Sequence, residues 1–128
     1  MSSTSKPNNT LSHSATVFPV SNMEASLPFY RDKLGFEVTF EWNDPVDYAV
    51  LRRDGVNIHL TLSDDTVVPN SHRALYIFPY DVDAVYNEFK DRNTEGLSDI
   101  GDREYGMRDF DVTDPDGHVL CFGKGKEE

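Results

Sequence analysis

Alternating and helical hydrophobic patterns divide the chain into two similar halves. Ala15–Val20 is a short apolar strand pattern, with Pro19 near its end where a missing N–H is tolerated. Ser21-Asn-Met-Glu24 reads as an S-x-x-E capping box and predicts a helix capped by Ser21. Met23, Leu27, Tyr30 and Leu34 then recur at helical spacing and form one apolar face. Gly35 stops that helix, and Pro28 falls just past its first turn, where a proline costs less than in the interior. Three strands follow. Glu37–Trp42 places Val38, Phe40 and Trp42 on one face by simple alternation. Tyr48–Arg53 and Val56–Leu62 are joined by a hairpin turn at Asp54-Gly55. In the last strand Val56, Ile58, Leu60 and Leu62 face one side, and Asn57, His59 and Thr61 the other.

The pattern restarts beyond a polar linker, Ser63–Ser71. Arg73–Phe78 reads as a strand. Asp81 caps a helix whose Val82, Val85, Tyr86 and Phe89 share a face, ending at Asn93. A weak strand near Leu97–Asp102 follows. Arg108–Thr113 and Val119–Gly123 are joined by Asp114-Pro-Asp-Gly117, a type I turn signature. Each half therefore reads strand–helix–strand–strand–strand, and two such units can bury each other's apolar face. The prediction is an α+β fold of paired βαβββ modules, about residues 15–62 and 73–123. Residues 1–14 are expected to be a disordered tail, and residues 124–128 a charged one.

Composition narrows the function classes. At 128 residues and 14.5 kDa the chain is one domain's worth of sequence. Its 23 acidic against 12 basic residues give a net charge of −11. That sign opposes binding to nucleic-acid phosphates or to an anionic membrane surface, and it suits a cationic ligand. No apolar run approaches the roughly 20 residues of a bilayer span, and the polar N-terminus has no signal-peptide core. A single cysteine, Cys121, excludes an internal disulfide, fits a reducing compartment and leads us to expect a cytoplasmic protein. Cys121 lies beside Leu120 and Phe122 and is expected to be a buried, inert thiol. His118, after the turn, is expected to be a solvated strand-start residue, and Asp64-Asp65 solvated loop charge. Eight acidic residues and two arginines lie between Glu95 and Asp116. Aromatic residues make up 12%, and neither Tyr48 nor Tyr105 is claimed by a helical stripe. There is no P-loop and no G-x-G-x-x-G.

Three blocks carry a resemblance. "VSNMEASLPFYRDKLGFEV", "RRDGVNIHLTL" and "YGMRDFDVTDPDGHVLCFG" together resemble, in order and spacing, the vicinal-oxygen-chelate superfamily. That superfamily includes glyoxalase I, extradiol dioxygenases, fosfomycin-resistance enzymes and bleomycin-resistance proteins, and the last are the most similar. The resemblance implies a mixed sheet in each module, curled around a cleft that a second chain completes as a homodimer. The superfamily's metal-ligand positions fall on Ala15, His59, Leu75 or its neighbour, and Cys121. Ala and Leu cannot coordinate, so no metal, cofactor or catalytic residue is expected.

The family's stacking position falls on Tyr48, and Tyr105 takes the place of a family Trp. Asp109 and Asp111 alternate with Phe110 and Val112, so they face the concave side when the apolar pair packs on the helices. Two like charges there need water or a cation. His59 is either a ligand hydrogen-bonder or a cleft-wall histidine satisfied by a neighbour. The expected ligand site is thus Tyr48, His59, Tyr105, Asp109 and Asp111. The expected function is sequestration of a small, flat, cationic antibiotic such as bleomycin, without metal or catalysis. The alternatives are a superfamily enzyme with a degenerate metal site, and a binder of an endogenous metabolite.

Overall fold

The computed structural model describes residues 10–69 and 72–126. Of the tail expected over residues 1–14, residues 1–9 lie outside the described residues, as do Asn70 and Ser71 of the linker and the last two residues.

The first module comprises β1 (Thr16–Val20), α1 (Met23–Pro28), β2 (Glu37–Trp42), β3 (Tyr48–Arg53) and β4 (Val56–Leu62). The second comprises β5 (Leu75–Ile77), α2 (Val82–Asp91), β6 (Gly101–Asp102), β7 (Met107–Thr113) and β8 (Val119–Gly125). The two sheets have the same topology, β1-β4-β3-β2 and β5-β8-β7-β6. In each, the opening strand pairs parallel with the last strand, and the remaining pairs are antiparallel. This is the paired βαβββ architecture that the hydrophobic pattern predicts.

Local details differ from the sequence reading. Asn22, not Ser21, caps α1: its side-chain oxygen accepts from the N–H groups of Glu24, at 2.9 Å, and Ala25, at 3.3 Å. Ser21 is drawn to the other module, where its N–H donates to the Asp116 carboxylate at 3.1 Å. Asn is as good a cap as Ser, so the helix starts one residue later without loss. After Pro28, which has no N–H to donate, the helix widens into a π-turn over Phe29–Lys33, with Leu34 N–H reaching Phe29 O at 3.2 Å. Gly35 ends it at φ +77°, a conformation that favours glycine. Asp81 caps α2 as expected, accepting from Ala84 N–H at 3.0 Å. The weak strand at Leu97–Asp102 shrinks to β6 and one bridge between Leu97 and Val112.

One core serves both modules. Phe18, Tyr30, Leu51, Ile58 and Leu60 from the first meet Phe89, Phe110, Val112, Leu120 and Phe122 from the second. α1 packs on β4, and α2 on β7 and β8, so each sheet turns its apolar face inward. His118 is a correction to the sequence reading: it is buried, not solvated. Its ring stacks on Phe18 with centroids 5.0 Å apart, and its Nε2 donates to the Pro19 carbonyl at 2.8 Å. Beside it the Asp114 carboxylate accepts from the Tyr30 hydroxyl, 2.8 Å, and from the His118 N–H, 2.8 Å. The D-P-D-G turn therefore fastens the modules together through its acids as well as reversing the chain. Burial raises the Asp114 pKa, and the Tyr30 and His118 hydrogen bonds only partly oppose it. Among the described residues no helix is long and apolar enough to cross a membrane.

Candidate functional site

With the inner faces buried, the second face of each sheet is left open, and strand register decides what it carries. On the first sheet β1, β4, β3 and β2 align Val17, His59, Val50 and Phe40 in one row. Pro19, Thr61, Tyr48 and Trp42 form the next. A β-bulge between Val38 and Phe40 makes this possible. Val38 pairs with buried Leu51 and packs on the core, whereas Phe40 and Trp42 are rotated to the open side. Strict alternation, which put all three on one face, fails here because one extra residue reverses the side of everything beyond it.

The open rings touch in series. Phe40 and Trp42 lie 4.1 Å apart by centroid, Trp42 and Tyr48 5.5 Å, and Tyr48 and His59 5.5 Å. The Tyr48 hydroxyl and His59 Nδ1 share a hydrogen bond of 2.7 Å. Phe40 is 50% and Trp42 47% exposed, so this wall is apolar and uncovered.

The open face of the second sheet is built from charge. Tyr76, Cys121 and Asp111 align in one row, and Asp109 faces Gly123 in the next. The Asp109 side chain is wholly buried. Its carboxylate accepts from Arg103 Nε at 2.7 Å, the Tyr105 hydroxyl at 2.6 Å and the Tyr76 hydroxyl at 3.3 Å. Arg73 Nε donates to Asp111 at 2.9 Å, and its Nη2 lies 3.7 Å from Asp109. Gly123 is needed for this packing, because a Cβ there would sit 2.5 Å from the Tyr76 hydroxyl and 2.9 Å from the Asp109 Cβ. Burial alone would raise the Asp109 pKa. The Tyr105 and Arg103 hydrogen bonds and the Arg73 charge outweigh it and hold the carboxyl below its usual value.

The five predicted residues thus fall into two groups. Tyr48 pairs with His59 on the first sheet, and Tyr105, Asp109 and Asp111 gather on the second. Among the described residues no hydrogen bond, ion pair or ring contact joins the two groups. The cation that meets Asp109 and Asp111 is supplied by the chain itself. The arginines of the acidic strip behave alike, since Arg108 pairs with Asp83 at 2.8 Å and Asp102 at 3.1 Å.

Phe40, Trp42, Arg73, Tyr76 and Arg103 were not singled out from sequence. The bulge hid the first two. Two unpaired-looking aspartates facing one side were the available signal that arginines must lie near. A groove of about 790 Å³ runs between the β3–β4 hairpin and β5–α2, lined by Phe36, Val56, Leu75, Tyr76, Phe78 and Val85 among others; it shares Tyr76 with the charged wall and holds none of the predicted residues.

The superfamily's metal positions do not fit an ion here. Ala15 has no donor. Leu75 pairs with buried Leu120 and faces the core, so Tyr76 takes the open side. His59 offers only Nε2, because its Nδ1 bonds the Tyr48 hydroxyl, and a single imidazole is too few ligands for a dedicated site. Burial pushes the Cys121 thiol up to about 12, against the opposing charge of Arg73, which keeps it from acting as a thiolate ligand. Among the described residues no three His, Cys, Asp or Glu side chains converge.

Comparisons with known proteins agree with this fold. The chain is similar in structure to the bleomycin-binding protein of bleomycin-producing Streptomyces verticillus, solved with copper(II)-bleomycin. The two are 22% identical, with a TM-score of 0.71, covering 92% of this chain and 99% of that one. It is similar to the bleomycin resistance determinant of transposon Tn5 at 16% identity and TM-score 0.74, covering 91% and 99%. A glyoxalase/bleomycin resistance protein/dioxygenase from Alicyclobacillus acidocaldarius is 23% identical, with TM-score 0.75 and 95% of each chain covered. A search of curated protein sequences finds no match. Residues 11–122 match the family as a sequence profile, and the chain belongs to the Glyoxalase/Bleomycin resistance protein/Dioxygenase superfamily.

Proposed function

We propose that this protein binds and sequesters a flat, cationic antibiotic of the bleomycin kind, without metal and without chemistry. The observation that carries the reading is the uncovered ladder Phe40–Trp42–Tyr48 on the first sheet, a stacking surface that no core residue of the described chain uses. Flat heteroaromatic groups gain dispersion and quadrupole attraction on such a wall. The net charge of −11 adds long-range attraction for a cation. Structural similarity to bleomycin-binding proteins supports the class of ligand. The open apolar surface, with Val17 50% exposed in the same row as Phe40, also supports a homodimer in which a second copy completes the cleft. In such a dimer the aromatic wall of one protomer faces the charged wall of its partner.

Trp42 is the single tryptophan, which makes the test direct. Bleomycin, metal-free and copper-loaded, is titrated while Trp42 fluorescence is followed. Saturable quenching with a matching rise in melting temperature is the expected result. No quenching and no thermal shift at millimolar drug would overturn the reading. Sedimentation at several concentrations checks the dimer, and a monomer throughout would overturn that part alone.

A further inference from the structure

The two arginines on the charged wall are held differently. Arg103 is fixed on three sides: its Nε bonds Asp109 at 2.7 Å, and its Nη2 donates to the backbone carbonyls of Asp99, 3.0 Å, and Asp109, 2.9 Å. Arg73 has only side-chain partners among the described residues. They are Asp111 at 2.9 Å, the Tyr105 hydroxyl at 3.3 Å, and a longer approach to Asp109 at 3.7 Å. Its side chain is 34% exposed, and that of Asp111 is 33% exposed. Arg73 also lies over the Tyr76 ring, 5.8 Å from its centroid, and Tyr76 in turn stacks on Phe78 at 4.8 Å.

If the Arg73 guanidinium moved out, Asp109 would remain neutralised by Arg103 and hydrogen-bonded by Tyr105. Only Asp111 would be uncovered. Its backbone stays anchored, because its N–H donates to Ser98 Oγ at 2.8 Å. The four charges Asp109, Asp111, Arg73 and Arg103 sum to zero with Arg73 in place. One negative charge appears when it leaves, together with an uncovered aromatic face.

We infer that Arg73 is a built-in counter-ion standing where a ligand's organic cation docks, and that Asp111 and the Tyr76 ring receive that cation when Arg73 swings away. The inference rests on the proposed ligand-binding role of the open faces and names the group they recognise: a guanidinium- or ammonium-type monocation. An exposed ion pair of this kind is weak, so an incoming cation replaces it at small cost. Arg73 therefore sets specificity. It keeps the wall neutral toward small metal ions and admits a group that can also stack on Tyr76.

Two experiments test this, one without the drug. In Arg73→Ala, millimolar ethylguanidinium should refill the vacated place and raise the melting temperature. It should do so in neither wild type nor Arg73→Ala/Asp111→Asn. Equal shifts in all three proteins, or none in Arg73→Ala, overturn the inference. In Arg73→Met, which removes the charge but keeps an unbranched side chain, bleomycin should bind about two- to fivefold more tightly by Trp42 quenching. It should also bind with steeper salt dependence. Unchanged or weaker binding overturns the inference while leaving the sequestration reading intact. If bleomycin binds none of these proteins, the sequestration reading falls, and the ethylguanidinium result alone decides whether Arg73 occupies a cation site.

Discussion

The two sheets share one topology and differ in what they expose. On the first, the open face carries Phe40, Trp42, Tyr48 and Val50, and its polar members Tyr48 and His59 satisfy each other. On the second, the matching positions carry Asp109, Asp111, Cys121 and Tyr76, with Arg73 and Arg103 laid over them. The inward faces show no such divergence: Leu51, Ile58 and Leu60 do for one sheet what Phe110, Val112, Leu120 and Phe122 do for the other. Packing restrains the inward residues to apolar shapes that fit. The outward residues are free to specialise, one sheet as an aromatic wall and the other as an ion-paired wall. The fold is common to a whole superfamily, and the difference between the open faces is where this chain's own chemistry lies.

The comparison is broken most severely at Asp109. Asp109→Ala leaves Arg103 and the Tyr105 and Tyr76 hydroxyls without their shared acceptor and should cost about 1–3 kcal/mol of stability in urea unfolding. If the loss is under about 1 kcal/mol, the second wall is a solvated surface and not a built network. The aromatic wall should respond in the other currency. Trp42→Ala should weaken binding of a stacked ligand by about 1–3 kcal/mol while leaving the melting temperature nearly unchanged, because the ring is half exposed. Equal binding by the variant would move the stacking surface elsewhere.

Acid titration sharpens the contrast between the charged wall and the module junction. Asp109 has its pKa lowered in the folded state, so its stabilisation is present above the ordinary carboxylate value of 3.8 and is lost as pH falls below it. Asp114 has its pKa raised, so the folded state takes up that proton first, and its contribution improves as pH falls toward 3.8 from above. Relative to Asp114→Asn, wild type should gain stability on acidification; relative to Asp109→Asn it should lose it below 3.8. One proton changes the slope by at most about 1.4 kcal/mol per pH unit. Parallel curves for all three proteins would refute the assignment. The smallest effect is expected at Asp83, which is exposed and paired with Arg108. Asp83→Asn should cost less than about 1 kcal/mol and lose even that in high salt.

Much of this architecture is legible in the sequence. Period-two alternation in Val56–Leu62 and helical spacing in Val82–Phe89 place the elements. The Asp54-Gly55 and Asp114–Gly117 turns join strands where expected. The βαβββ repeat follows from them, and the superfamily from the resemblance of three sequence blocks. These are local signals, carried by residues near one another in the chain, and a one-dimensional reading captures them. His59 could be placed on the less apolar face of its strand for the same reason, whereas Tyr48 was placed by the family resemblance.

Tertiary structure alone decided the rest. The bulge at Thr39 sends Phe40 and Trp42 outward, and no alternation pattern announces an extra residue. His118 looks solvated beside a turn, yet Phe18 and the Pro19 carbonyl, far away in sequence, close over it. Asp109 and Asp111 read as free acids until β5 and the β6–β7 turn bring Arg73 and Arg103 across them. Hydrophobic periodicity specifies which face of an element is buried, because burial acts on each residue separately. Which charge meets which depends on distances between segments remote in the chain, and only the folded arrangement sets those.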